Sequence, residues 1–195
     1  PLKIIVSGRS SVIYVGNECK LRDLEIRSVQ NEDLVVVGNQ VTTTSTNRWI
    51  SGRGARTLRP RLIVGDDCMF SYGVTIRNSD GHPVYDALSD TAINEPDADV
   101  VLEPHVWIGQ DAMILKGARL GACAVVASGS MVTGSVPRAC VVGGVPARAL
   151  RTAPVYWARN STEAARLEAR RYYDHYCATP AEPASADDQP PTLQV

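Results

Sequence analysis

From Leu102 onward an aliphatic side chain returns every six residues, at Leu102, Ile108, Ile114, Leu120, Val126 and Val132. Two residues before each of the last five stands Val106, Ala112, Ala118, Ala124 or Ser130, and glycine follows directly at Gly109 and Gly121. An α-helix cannot use this spacing, because six steps of about 100° turn a side chain through roughly 240° and successive members would point in three directions. Six is a multiple of the strand period of two, so every member can face inward from a strand, and the small residues between them suit tight corners. A repeat this short cannot bury its own apolar side chain. It must coil so that neighbouring turns, about 4.8 Å apart, stack their aliphatic residues into columns. The pattern predicts a mainly β fold, a parallel β-helix of hexapeptide repeats.

The same phase appears at Val64, Phe70 and Ile76, but Ile76 to Leu102 spans 26 residues, not a multiple of six. An excursion must leave the coil between them, at about 78–99. Earlier coils are less regular: Val15-Gly16 and Val37-Gly38 look like repeat starts, whereas 41–61 keeps β-forming residues without the aliphatic spacing. At the other end, Asn160-Ser161-Thr162-Glu163 reads as a capping box with Asn160 as the cap, opening a run rich in helix formers. This predicts a helix over 161–177. The segment beyond it, 179–195, lacks the apolar content to order itself. The expected organisation is a β-helix over 1–152, a helical extension over 153–178 and a disordered tail.

Charge and composition narrow the function classes. The 195-residue chain carries a net charge of −1, and its basic residues are scattered rather than grouped into a nucleic-acid footprint or a membrane-surface patch. No apolar run approaches the roughly 20 residues needed to span a bilayer. The start, Pro1-Leu2-Lys3-Ile4-Ile5-Val6, does not read as a secretory signal. Five cysteines, an odd number at irregular spacings without a CxxC, predict free thiols in a reducing cytoplasm rather than a disulfide framework or a zinc site.

Candidate chemistry lies in the excursion, which contains Ser79-Asp80-Gly81-His82-Pro83-Val84-Tyr85-Asp86. A loop that breaks an economical coil is a place to look for function. Imidazole is the side chain suited to moving protons near neutral pH. An alcohol is essentially un-ionised there, and a base that takes its proton during attack contributes about 10²–10⁴-fold. Asp80 and Asp86 are both candidates to orient the ring through its other nitrogen. Trp107 neighbours the inward position Ile108, so it should face outward, where an indole can wall a tunnel or stack on a sugar. His105 is a rival base, expected at a surface corner. His175, among Tyr and Asp in the predicted helix, is a weaker one. Only His82 and His105 fall in the coil region, short of the three ligands of a His₃ zinc site, so no metal is expected.

The run from Val64 to Arg151 resembles the hexapeptide-repeat acyltransferases, and within them the capsular-polysaccharide and sugar O-acetyltransferases. The likeness is carried by Asp67 to Asp86, by Ile93-Asn94 and by Pro104-His105-Val106-Trp107-Ile108-Gly109. It continues through Ile114-Leu115-Lys116-Gly117 and Gly129 to Thr133, and ends with Gly144-Val145-Pro146-Ala147-Arg148. The resemblance implies a left-handed coil, a homotrimer with active sites between subunits, and acetyl-coenzyme A as cosubstrate. His82 matches the catalytic base of the galactoside and maltose acetyltransferases, and Trp107 matches a tryptophan beside the reacting groups in the capsular branch. Gln110, Ser128 and Thr133 match positions along the pantetheine arm, and Gly109 is expected among the cofactor contacts; a backbone N–H near Gly109 or Ser128 is the expected oxyanion donor. Arg148 and Arg151 match basic residues near the nucleotide phosphates, with which guanidinium groups pair well. Gly134 stands where the galactoside branch often has lysine, and the acceptor-binding asparagine of that branch has no counterpart.

The function expected on these grounds is direct acetyl transfer to a hydroxyl of a sugar or polysaccharide precursor, in the cytoplasm. N-acetylation of an amino sugar or antibiotic, and a non-catalytic β-helix scaffold, are the alternatives.

Overall fold

The computed structural model describes residues 1–52, 60–94, 98–151 and 153–178. The predicted disordered tail, 179–195, lies outside them, as do 95–97 within the excursion. The chain winds as a three-sided, left-handed parallel β-helix. Face A stacks β1 (Leu2–Val6), β4 (Leu24–Ser28), β7 (Asn47–Ser51), β10 (Thr75–Arg77), β13 (Met113–Ile114) and β16 (Met131–Val132). Face B stacks β2 (Val12–Val15), β5 (Leu34–Val37), β8 (Arg61–Val64), β11 (Val100–Leu102), β14 (Arg119–Leu120) and β17 (Ser135–Val136). Face C stacks β3 (Lys20–Leu21), β6 (Thr42–Thr43), β9 (Met69–Phe70), β12 (Trp107–Ile108), β15 (Val125–Val126) and β18 (Val141–Gly143). An antiparallel hairpin strand, β19 (Arg148–Arg151), closes face C.

The six-residue step is one step around this triangle. Leu102, Ile108 and Ile114 face inward from B, C and A in turn, and Leu120, Val126 and Val132 repeat the circuit directly alongside. All six are buried, each such burial contributing about 1.5–3 kcal/mol. The pairings Trp107↔Val125 and Met113↔Met131 advance one turn in 18 residues, three hexads. The first turn is longer: Leu2↔Leu24 and Lys20↔Thr42 advance 22. The additional residues lengthen the strands of faces A and B, five in β1 and four in β2 against two in β12, β13 and β14, which is why the six-residue repeat fades from the sequence there while the columns persist. Among the described residues of 41–61, Val41, Thr43, Asn47, Trp49 and Ser51 are buried, with Trp49 tilted against Phe70 at 4.7 Å. Gly109 is needed because a Cβ there would lie 2.6 Å from the Ser128 nitrogen of the next coil.

The helix α1 spans Glu163–Tyr176. Its cap is Thr162, whose hydroxyl accepts from the Ala165 N–H, rather than Asn160. Asn160 instead supports the cap, its Oδ1 accepting from the Thr162 N–H and hydroxyl. Glu163 does not complete a capping box either, since its carboxylate pairs with Arg166. Tyr172, Tyr173, Tyr176 and Cys177 pack on Ala122, Cys123 and Ala139, which lie on the edge between faces B and C. No helix among the described residues is long and apolar enough to cross a membrane.

Candidate active site

The excursion leaves face A after β10 and rejoins at β11, so it springs from the edge between faces A and B. Its root is held by buried polar groups. Asn78 donates from Nδ2 to the Ser51 hydroxyl (3.0 Å) and accepts at Oδ1 from the Gly52 N–H (2.9 Å). The Ser79 hydroxyl donates to the Gly52 carbonyl. A buried amide side chain with these partners replaces the backbone pairing that the coil gives up where the loop departs.

Beyond the root the two arms pair with each other. Ile93 N–H donates to the Val84 carbonyl, Asp86 N–H donates to the Thr91 carbonyl, and Tyr85 and Ala92 form an antiparallel bridge. The tip is a turn closed by Asp86, whose carboxylate accepts from the Ser89 and Leu88 N–H groups and from the Ser89 hydroxyl. Those Ser89 and Leu88 hydrogen bonds hold the Asp86 carboxyl below its usual range. They employ Asp86 in closing the turn.

His82 lies on the outgoing arm and is exposed. Asp80, two residues before it, directs its carboxylate to Lys116 Nζ (2.5 Å) and to Asn94 Nδ2 (2.9 Å), not to the His82 ring. Within one chain neither carboxylate expected to orient the imidazole is hydrogen-bonded to it.

The remaining predicted residues fall into separate places. Gly109, Gln110 and Ser128 come together on the edge between faces C and A, where Gly129 N–H donates to the Gln110 carbonyl (2.7 Å). Gln110 and Ser128 are exposed there. The Gly109 N–H is committed to the Val126 carbonyl (2.8 Å), so in this chain it is not a free oxyanion donor. Thr133 is exposed on the other border of face A, the same edge as the excursion, one coil along from Leu115. Arg148 and Arg151 stand exposed on β19.

Trp107 faces outward from face C, as its position next to Ile108 predicts. Its Nε1 donates to the Ser71 hydroxyl at 3.4 Å, and its ring lies 6.0 Å from that of Trp157. Face C is the side of the triangle opposite the edge that carries the excursion. One chain therefore keeps Trp107 and His82 on opposite sides.

His105 is not at a surface corner. It is only 2% exposed, its ring stacked between Trp157 (4.2 Å) and Tyr172 (4.7 Å). Nδ1 meets the Asp67 carboxylate at 2.6 Å and Nε2 meets the Trp157 carbonyl at 2.9 Å. Both ring nitrogens are thus engaged by oxygen partners inside the fold. Asp67 is also bound by Arg159. The sequence shows His105 beside Trp107 but not the strap, 153–162, that folds over it. An imidazole with both nitrogens engaged inside an aromatic stack is a structural post rather than a base. His175 sits edge-on to Tyr176, near the end of α1 and remote in sequence from the coil.

All five cysteines are free. Burial pushes the Cys68 thiol up to about 12 and those of Cys123, Cys140 and Cys177 upward, the opposite of an activated nucleophile. Sequence reasoning missed Asn78, Asn94 and Lys116. All three fall within the motifs, but their side-chain partners are 10 to 36 residues away.

No family model matches the chain. Over 130 residues it is 29% identical to a polysialic acid O-acetyltransferase of Neisseria meningitidis, covering 59% of this chain and 60% of that protein. Over 125 residues it is 31% identical to a polysialic acid O-acetyltransferase of Escherichia coli O1:K1 / APEC, covering 64% of this chain and 38% of the relative. The chain thus spans less than two thirds of either. Among solved structures, a polysialic acid O-acetyltransferase superposes with a TM-score of 0.58 at 22% identity, covering 89% of this chain and 99% of its own. A hexapeptide-repeat acetyltransferase of Vibrio cholerae O1 biovar eltor, solved with acetyl-coenzyme A, gives 0.54 at 21% identity, covering 71% and 69%. The chain is similar in sequence to O-acetyltransferases and shares the fold of hexapeptide-repeat acetyltransferases, as its motifs imply.

Proposed function

We propose that this chain transfers an acetyl group from acetyl-coenzyme A to a hydroxyl of a sugar or polysaccharide, with His82 as the general base. The observation that carries this reading is the likeness to two O-acetyltransferases of a glycan, each matched over more than half of this chain. The exposed imidazole of the excursion supports it, since a base must reach an acceptor arriving from solvent. His82 takes the proton of the acceptor hydroxyl as its oxygen attacks the thioester carbonyl. The acetyl group passes to that oxygen, and coenzyme A leaves as the thiol once its sulfur is protonated. General-base assistance of this kind is worth about 10²–10⁴-fold.

The exposed edge of Gln110 and Ser128 offers polar groups to the pantetheine arm, and the exposed guanidinium groups of Arg148 and Arg151 suit phosphates. Trp107 and His82 lie on opposite sides of one chain, so a site that uses both is assembled from two copies. A cyclic homotrimer supplies that arrangement three times over. Polysialic acid is the first acceptor to try, and the cytoplasm is the compartment in which acetyl-coenzyme A and free thiols coexist.

The test incubates the protein with acetyl-coenzyme A and a glycan panel headed by polysialic acid, measuring thiol release and acetylated product by mass spectrometry. We expect O-acetylated glycan, and a kcat for His82→Ala that is lower by about 10²–10⁴-fold. Failure to acetylate any glycan sinks the transferase reading. Near-normal kcat in His82→Ala sinks the mechanism alone.

A further inference from the structure

Near His82 the pairing between the excursion's arms passes from backbone to a single side chain. The Asn94 Oδ1 accepts from the Val84 N–H (2.7 Å), while its Nδ2 donates to the His82 carbonyl (3.0 Å) and to the Asp80 carboxylate (2.9 Å). One amide thus ties down the residues on both sides of the imidazole and the backbone of the imidazole's own residue. Lys116, at the turn of the next coil on the same edge, donates to the same Asp80 oxygen at 2.5 Å and to the Asn94 carbonyl. The ammonium therefore bolts both arms of the loop to the coil. The side chain of Lys116 is mostly covered and that of Asp80 is 42% exposed. A half-exposed ion pair adds little to global stability. The loop tip is closed independently by Asp86, and the root by Asn78 and Ser79. Tip and root each keep hydrogen bonds of their own outside the Lys116–Asp80–Asn94 group.

We propose that Lys116, Asp80 and Asn94 are positioning residues that hold the His82 backbone at a fixed height above the coil, so that the imidazole meets the acceptor hydroxyl. This rests on the reading of His82 as the base, and it gives Asp80 a different task from orienting the ring. Transfer of a proton depends steeply on placement, and a displacement of about 1 Å can cost about 10²-fold. Gln110 and Ser128, the polar groups offered to the pantetheine arm, lie on the other border of face A, so binding of acetyl-coenzyme A is expected to depend less on the loop.

The experiment compares Asn94→Ala, Lys116→Met and Lys116→Arg with the parent and with His82→Ala. It reads kcat and KM on the glycan that turns over, the pH profile of kcat, melting temperature and hydrogen exchange of the loop amides. Expected are a kcat about 10–100-fold lower in Asn94→Ala and Lys116→Met, an unchanged KM for acetyl-coenzyme A and an unchanged melting temperature. The midpoint of the pH profile should stay in place, because the same base acts from a poorer position. Exchange at the Val84 amide should quicken in both, and Lys116→Arg should recover much of the loss. A kcat within about 3-fold of the parent in Asn94→Ala and Lys116→Met, with His82→Ala inactive, overturns the positioning role and leaves the base intact. Loss of kcat together with a large fall in melting temperature also overturns it, in favour of a purely structural role. Full activity in His82→Ala, or no turnover by the parent, overturns the base or transferase reading and this proposal with it.

Discussion

His82 and His105 share a side chain and differ in everything around it. One stands exposed on a loop; the other has both nitrogens engaged and a ring on either face. Substitution should therefore separate turnover from stability. His105→Ala removes two buried hydrogen bonds and empties a slot between Trp157 and Tyr172, so we expect a loss of about 2–4 kcal/mol in a chemical denaturation curve. His82→Ala should leave the same curve unchanged. Equal stability of the two variants would mean that the stack carries no weight. The sequence places the two histidines in motifs and says nothing of their surroundings, because Trp157 is 52 residues from His105 along the chain. Trp107 was readable to the extent that strand alternation makes it face outward. The Asp80 contact was not, since two carboxylates close to an imidazole in sequence say nothing about which way each one turns.

At the scale of elements, the helix α1 and its strap are fastened to one edge of the coil. Arg138 pairs with Glu103 at 2.6 Å and donates to the Tyr176 carbonyl, tying the end of the helix to the edge between faces B and C. Burial alone would raise the Glu103 carboxyl, but hydrogen bonds from Arg138 and the Ala122 N–H outweigh it and hold the group below its usual range. A carboxyl lowered on folding stabilises the fold fully above its unfolded value, about 4.3. That contribution is lost as pH falls through the lower folded value. The melting temperature should hold between pH 7 and about 5 and then drop on further acidification. The drop should be shallower in Glu103→Gln, and an identical acid limb in that variant would remove Glu103 from the account. The extent of the helix was readable from its run of Ala, Glu, Arg and Leu. Its cap shifted from Asn160 to Thr162 because capping depends on backbone direction, which three neighbouring polar residues leave open.

For the whole molecule, the separation of Trp107 on face C from the edge carrying His82 bears on assembly. If the two meet at one reacting centre, each centre draws them from different copies. Unfolding and refolding a mixture of His82→Ala and Trp107→Ala chains should then restore acetyl transfer that neither variant has alone, through mixed oligomers holding one intact seam. A mixture no more active than its components would place the site within a single chain.

The six-residue recurrence determined the β-helix, the inward columns from Leu102 to Val132 and the departure of a loop after Ile76. Such a period has one solution that buries an aliphatic side chain at every step. The motifs likewise singled out His82 and Trp107 as candidates. Tertiary structure alone decided that His105 is buried under a strap, that Asp80 turns to Lys116 and that Asn94 joins the arms of the loop. Those outcomes rest on hydrogen bonds between residues 10 to 52 positions apart, and no local pattern of apolar and polar residues encodes which distant partner a polar side chain finds.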